Sequence, residues 1–391
     1  MYELNEKIKL WLDPKTIEEA AMQQLINTAE MDFIEGLAVM PDCHHGKGAV
    51  IGSVIASSGA ISPAAVGLDK GCGMSGVLTK FFASDLPDNL DKLRDGIIAR
   101  IPVSVGGYHT TIKRSAEKRL KRLHELAKDD YYKVDPKWTY QMGTLGSGNH
   151  FVEICLDENN WVWAVLHSGS RGIGNKLGQK HIKIAQTLMD AAGIRLKDRD
   201  LAYLSEGSKE FDNYIRDLLW AQEFARLSRE EMMDQVMEEL SILFFKEKGH
   251  EKEIELDRIN CHHNFAQRET HFGKTLWVVR KGAIEMRKGQ RGIIPGAMGA
   301  KTFIVSGLGN KFAYNSAPHG AGRKLSRKAA KSKFTEDDLR ESMKGISYRH
   351  APGMIDEFKE SYKDIDEVVE NSRDLVKVEH VLKQVVNIKG D

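Results

Sequence analysis

Short glycine-rich segments recur along most of this chain, and they constrain its fold more than any other feature. They lie at 46–48, 67–76, 143–148, 169–174, 289–299 and 320–322. Glycine lets a backbone turn sharply and come close to other groups. Spread over the length in this way, the segments predict strands ending in tight turns that converge on one site, not separable modules. Between them, Ala49–Ile55, Trp161–Leu166, Thr275–Val279 and Thr302–Val305 are rich in β-branched or aromatic residues and read as strands. Leu177, His181, Ile184, Ala185, Leu188 and Met189 recur at helical spacing, and a longer periodic stretch from Tyr214 to Phe245 reads as one helix or two. Its Met232, Met233 and Met237 read as core filler. The mixture points to an α+β fold with helices outside the sheets.

A chain of 391 residues can bury a large core, in one big domain or two. Its net charge of +1 excludes a protein held on nucleic acid by global charge, so phosphate affinity must come from local patches. Two stretches are locally basic. Lys113 to Lys128 reads as a solvated helix face with Leu120, Leu123 and Leu126 opposite. Arg323 to Lys333 follows the glycine turn at 320–322 directly and suits a phosphate backbone better. No apolar run reaches the roughly 20 residues that span a bilayer, and the first residues are too polar for a signal peptide. Cys43, Cys72, Cys155 and Cys261 are too few for a disulfide framework and fit a reducing cytosol. The expected location is cytoplasmic.

The stretch Asn315-Ser316-Ala317-Pro318-His319-Gly320-Ala321-Gly322-Arg323 carries the strongest chemical signal. Glycines expose backbone N–H groups to a phosphate, arginine offers a forked donor, and the histidine between them suits a nucleophile that carries a phosphoryl or nucleotidyl group. Four further clusters offer metal ligands: Asp69 and Cys72 in LDKGCG, His150 in GSGNHF, His167 in LHSGSRG, and the His262-His263 pair after Cys261. Carboxylate, thiolate and imidazole together suit a borderline divalent ion such as Mn²⁺, Zn²⁺, Co²⁺ or Fe²⁺, not Mg²⁺ or Ca²⁺. No pair shows the spacing of a known zinc motif, so the signal lies in the sum. Cys43 and Cys155 read as packing thiols; His262 has no assigned role, and His44 and His45 shape the cleft at most.

The stretches MPDCHHGKGAVIGSVI, AAVGLDKGCGM, LGSGNHFVEI, LHSGSRGIGN, INCHHNFA, GIIPGAMGAKTFIV, HGAGRKLSR and the terminal VVNIKGD resemble, in order and over essentially the whole chain, the RtcB family of RNA-splicing ligases, its bacterial branch most of all. The resemblance implies a single large domain over 1–391, with mixed sheets, peripheral helices and a deep metal-containing cleft. It implies ligation of RNA 2′,3′-cyclic phosphate or 3′-phosphate ends to 5′-hydroxyl ends, with GTP and two Mn²⁺ ions, in RNA repair or tRNA splicing. His319 would take up GMP. Asp69, Cys72, His150, His167 and His263 would bind metal, with Cys72 bridging both ions. Asn149, His150, Phe151, Val152, Glu153, His263, Asn264, Pro295, Gly296, Ala297, Met298, Thr302, Gly320, Ala321, Gly322 and Lys389 would line the nucleotide. An archease-like activator is an implied partner, and the expected state is a monomer. Arg171 and Arg323 are our own candidates for gripping RNA phosphate.

Three departures from the family pattern bear on substrate choice. Ala297 stands where a serine is usual, which removes one hydrogen bond worth roughly 0.5–1.5 kcal/mol. Lys70 stands beside the metal aspartate in place of an apolar residue, and would either weaken metal binding or point into the RNA cleft. The region 105–138 is short and basic. Two other classes compete: a metal-dependent phosphoesterase acting on RNA ends without joining them, and a non-catalytic RNA-binding factor on a ligase scaffold.

Overall fold

The computed structural model describes residues 1–127, 130–351 and 353–390, and it has the α+β architecture expected. Two sheets carry it. The first has six strands in the order Tyr2–Glu3, Ile8–Leu10, Ile34–His44, Ile51–Ser57, Lys274–Lys281 and Asn264–His271. The second runs Glu255–His262, Gly73–Phe82, Trp161–Ser168, Phe151–Leu156, Val376–Lys389, Thr302–Gly307 and Arg291–Pro295, with Ser347–Tyr348 added in parallel beside Val376–Lys389. Neighbours are otherwise antiparallel except Ile8–Leu10 beside Ile34–His44, so the sheets are mixed.

Side-chain alternation along the strands sorts residues between layers. Ala38, Met40, Val54, Ala56, Leu276 and Val278 of the first sheet pack with Met74, Phe151, Trp163, Val165, Ile293 and Phe303 of the second in one buried cluster. The opposite face of the second sheet, with Val77, Val152, Ile154, Val162, Ala164 and Leu166, lies under Met232, Met233, Val236, Met237 and Leu240. Those methionines belong to one unbroken helix, Lys209–Phe245, 37 residues long. Ser208 caps its start by accepting from the Phe211 N–H. The opposite face of the first sheet is covered by helix Glu19–Ala29 and by residues of helices Arg171–Ala191 and Lys209–Phe245. Helices therefore flank a two-sheet sandwich.

The strands predicted from composition are present with shifted ends. Ala49–Ile55 becomes Ile51–Ser57, because residues 46–50 form the turn leading into it. The basic stretch from 113 includes helix Glu117–Leu126, with Leu120 and Leu123 buried. Two of its cations are met by acids of the long helix: Arg119 by Glu231 and Asp234, Arg122 by Glu223. Lys128 of that stretch lies outside the described residues.

Candidate active site

Five of the glycine segments deliver residues to the mouth between the sheets or support the ones that get there. Strand Gly73–Phe82 pairs with Trp161–Ser168 so that Met74 faces His167, and Phe151 pairs with His167 on the other side. This register brings His167 beside the turn that precedes Gly73. Gly71, at φ +69, makes that turn, and a Cβ there would stand 2.7 Å from the Gln222 Cα. The turn is tied down by its neighbours. Gly71 N–H donates to the Asn264 carbonyl at 2.6 Å, and His263 N–H donates to the Cys72 carbonyl at 2.7 Å.

Two groups of ligand atoms result, and they share Cys72. Asp69, Cys72 and His150 form one; Cys72, His167 and His263 form the other, with all atoms of each group within 4.8 Å of one another. The Cys72 Sγ lies 3.4 Å from His150 Nε2 and 3.2 Å from His167 Nε2. His167 Nε2 is in turn 2.7 Å from His263 Nε2, and His150 Nε2 is 2.9 Å from Asp69 Oδ2. His150 Nδ1 donates to the Leu145 carbonyl at 3.0 Å and His167 Nδ1 to the Asn149 carbonyl at 2.9 Å. A carbonyl can only accept, so both rings carry their proton on Nδ1 and aim the Nε2 lone pair inward. Lone pairs converging on a thiol and a carboxylate, short of donors of their own, are what a cation needs. The donor set fits a borderline divalent metal, and Cys72 is placed between two such sites.

The charge states agree with this. Burial, reinforced by neighbouring imidazoles, pushes His167 and His263 well below the usual histidine range, so both are neutral, the form a metal needs. Burial works against the Asp69 charge, but the neighbouring His150 outweighs it and Asp69 is held down to about 2, a carboxylate at neutral pH. Burial and the Asp69 charge push the Cys72 thiol well up, so a metal would have to displace its proton.

His319 sits next to this cluster, its ring centroid 4.7 Å from that of His263. Its Nδ1 donates to Asp42 Oδ2 at 2.6 Å, and the same oxygen accepts its backbone N–H at 3.2 Å. Asp42 is fully buried at the end of strand Ile34–His44. Gly322, at φ +73, allows the turn after His319 to pass the Asp42 backbone, which a Cβ would overlap.

One cavity of about 450 Å³ joins these groups. It is lined by Asp69, Cys72, Asn149, Phe151, Glu153, His167, His263, Asn264, Pro295, Gly296, Ala297, Met298, His319, Gly320, Ala321, Gly322, Arg323 and Lys389 among the residues proposed from sequence. At one end Glu153 Oε1 accepts from Asn387 Nδ2 at 2.9 Å, and burial raises its pKa to about 8. Lys389 Nζ lies 3.0 Å from Glu357 Oε2 and 5.6 Å from the Phe151 ring centroid. Burial works against the Glu357 charge, but Lys389, Arg323 and Arg327 outweigh it and hold the pKa at about 2.

Several residues stand elsewhere than the sequence suggested. Val152 is fully buried in the cluster beneath the long helix, because alternation turns it away from Phe151 and Glu153. The Thr302 side chain is buried and does not line the cavity. Arg171 packs against Gly146 and donates Nε to Thr144 Oγ1 at 3.1 Å, away from the cavity. Arg323 lines the cavity but its guanidinium already meets Glu357 Oε1 at 2.6 Å and the Asp356 carbonyl at 2.9 Å. Arg327 and Lys331 are likewise met by Asp356, so most of the second basic stretch is neutralised from within. Lys70 does not point into the cavity: fully buried, it donates to the Gly67 carbonyl at 3.1 Å and lies 6.0 Å from the Tyr214 ring centroid.

Three site residues escaped the sequence reading. Asp42 is one and Asn387 another. The third is Arg229, fully buried in the long helix, whose Nη1 donates to the carbonyls of Gly71 at 2.7 Å and Ser168 at 2.9 Å. Its Nε donates to Asn260 Oδ1 at 2.8 Å, so one side chain clamps the metal turn to two strand ends. His262 supports the same carbonyl of Gly71 at 2.8 Å and is no ligand. His44 lines the cavity, with Nδ1 on the Asp42 carbonyl at 3.0 Å.

A family model described as tRNA-splicing ligase RtcB matches residues 24–390. The chain is 45% identical to the RNA-splicing ligase RtcB of Escherichia coli (strain K12), covering 99% of this chain and 98% of that one. It is 29% identical to the tRNA-splicing ligase RtcB of Pyrobaculum aerophilum, over 88% of this chain and 85% of that one. With the match running from the first sheet to the final strand, the chain belongs to the RtcB family.

Proposed function

We propose that this chain is an RNA ligase that joins 2′,3′-cyclic phosphate or 3′-phosphate ends to 5′-hydroxyl ends with GTP as co-substrate, acting as one cytoplasmic, monomeric unit. The observation that carries the reading is the His319 ring, held by Asp42 through Nδ1 at 2.6 Å and set beside the Cys72–His167–His263 group. A metal-binding phosphoesterase has no use for a histidine so held.

With Nδ1–H donated to Asp42, the Nε2 lone pair of His319 is available for attack. The Nε2–P bond forms at the α-phosphorus of GTP while the bond to the β-phosphate oxygen breaks, and pyrophosphate leaves. Asp42 stabilises the positive charge that grows on the ring, as a buried carboxylate does for a catalytic imidazole. An RNA 3′-phosphate oxygen then attacks the same phosphorus and releases His319. The 5′-hydroxyl attacks the RNA 3′-phosphorus, and GMP departs with the electron pair. A cyclic phosphate is first opened by water to the 3′-phosphate.

Asp69, Cys72, His150, His167 and His263 would hold two Mn²⁺ ions, which supply positive charge against the phosphate oxygens. Phe151 offers a ring face and Glu153 an acceptor for the guanine edge, with Lys389 over the same ring. Ala297 contributes no side-chain hydrogen bond, although its carbonyl still accepts from Gln384 at 3.0 Å. The reading leaves room for an archease-like activator.

Incubation with Mn²⁺ and α-labelled GTP, followed by a denaturing gel, tests it. Wild type is expected to keep the label and His319→Ala to lose it. A wild type that never becomes labelled, yet hydrolyses RNA phosphate ends, would leave the phosphoesterase in possession.

A further inference from the structure

Glu153, Asn387 and Lys389 line the cavity and are all buried, which makes theirs its inner end. At the other end it shares Lys47, Leu68 and Ile182 with a second groove of about 560 Å³. One helix builds most of that groove. Gln179, Ile182, Lys183, Gln186 and Thr187 of helix Arg171–Ala191 all line it, and their spacing of three and four puts them on a single stripe. The opposite stripe, with Leu177, His181, Ala185 and Met189, is buried. Arg199 completes the lining.

Its chemistry is that of a polyanion track. Lys47 and Lys183 are exposed and have no acid partner among the described residues. Of the acids nearby, Asp190 is paired with Arg199 at 2.7 Å, and Asp200 is held by the Gln186 amide at 3.2 Å. Elsewhere, Arg119, Arg122, Arg327 and Lys331 of the two basic stretches are met by acids of the same molecule. Amides and a hydroxyl alternate with the cations, and Leu68 and Ile182 give an apolar step at the junction. Cations with neutral donors suit a ribose-phosphate backbone, and the apolar step suits a base or ribose face.

We infer that the groove along Gln179, Lys183, Gln186 and Thr187 is the track by which a single RNA strand reaches His319. The inference rests on the ligase reading, and it follows from the cavity having one end committed to the nucleotide. A strand that must bring its terminus to the cluster has the Lys47–Leu68–Ile182 junction as its way in. Lys47 and Lys183 bind phosphates there.

The test uses the full chain and two short single-stranded oligoribonucleotides, one with a 3′-phosphate and one with a 5′-hydroxyl. Binding is measured by anisotropy across a salt series, beside self-labelling by GTP. The exposed double variant Gln179→Glu/Lys183→Glu is expected to label as wild type does. It should bind at least one of the two strands about tenfold more weakly, with a salt slope shallower by roughly 0.7 for each phosphate that is no longer held. The arm that weakens says which strand uses the track. Lys183→Met, which removes one charge and adds none, should show a smaller loss in the same arm. Unchanged affinity and slope for both strands would overturn the inference while leaving the ligase reading intact. A wild type that fails to label would sink the ligase reading, and the binding arms would still decide whether the groove holds RNA.

Discussion

At the residue scale the reactive imidazole depends on a carboxylate 277 positions away in the chain. Asp42 fixes which nitrogen of His319 carries the proton, so its loss leaves the ring free to choose the wrong tautomer. Asp42→Ala is expected to slow uptake of label from GTP roughly a hundredfold. Metal content, measured by mass spectrometry of the dialysed protein, should not change, because Asp42 belongs to neither ligand group. A variant that loses metal along with labelling would reassign Asp42 to the metal site. The histidine was legible from sequence because glycines surround it, and glycine turns are local. Asp42 was not, because nothing local distinguishes a carboxylate that ends a strand from one that faces water. Taking Asn149 to Glu153 as an unbroken binding run failed for a different reason: in a strand every second residue belongs to the other face, as Val152 does.

At the element scale the long helix does more than cover a sheet. Arg229 reaches from it to Gly71, Ser168 and Asn260, which between them belong to the metal turn and two strands. Burial lowers its pKa to about 10, still high enough to keep it charged at neutral pH. Arg229→Ala strands buried carbonyls without donors, at a cost of about 1–3 kcal/mol for each left unsatisfied. Urea denaturation should show a loss of roughly 3 kcal/mol, and the turn carrying Asp69 and Cys72 should bind Mn²⁺ more weakly in a calorimetric titration. Stability equal to wild type would mean that water replaces the clamp. Periodicity revealed that this helix exists and that its methionines are core. It could not reveal that an arginine also points inward, since side-chain charge in a helical pattern argues for the solvent face.

At the scale of the whole molecule, the ligand groups draw on segments near residues 69–72, 150, 167 and 263. Ions bound there would need these distant segments brought together, and would stabilise the folded chain as a unit. Saturating Mn²⁺ is expected to raise the thermal midpoint in one transition, with about 2.7 kcal/mol of added stability at a hundred times the dissociation constant. Cys72→Ala, which removes the atom shared by both groups, should abolish that shift. A shift that survives it would place the ions elsewhere.

The neutralised basic stretches have a consequence for turnover. Arg119, Arg122, Arg327 and Lys331 are committed to acids of the same molecule, so these four add little grip on a long, unbroken strand. A catalyst that seals breaks must let its product go once the break has vanished. With those cations committed, a mended strand loses the termini that the cavity holds, and release comes with the disappearance of the ends themselves.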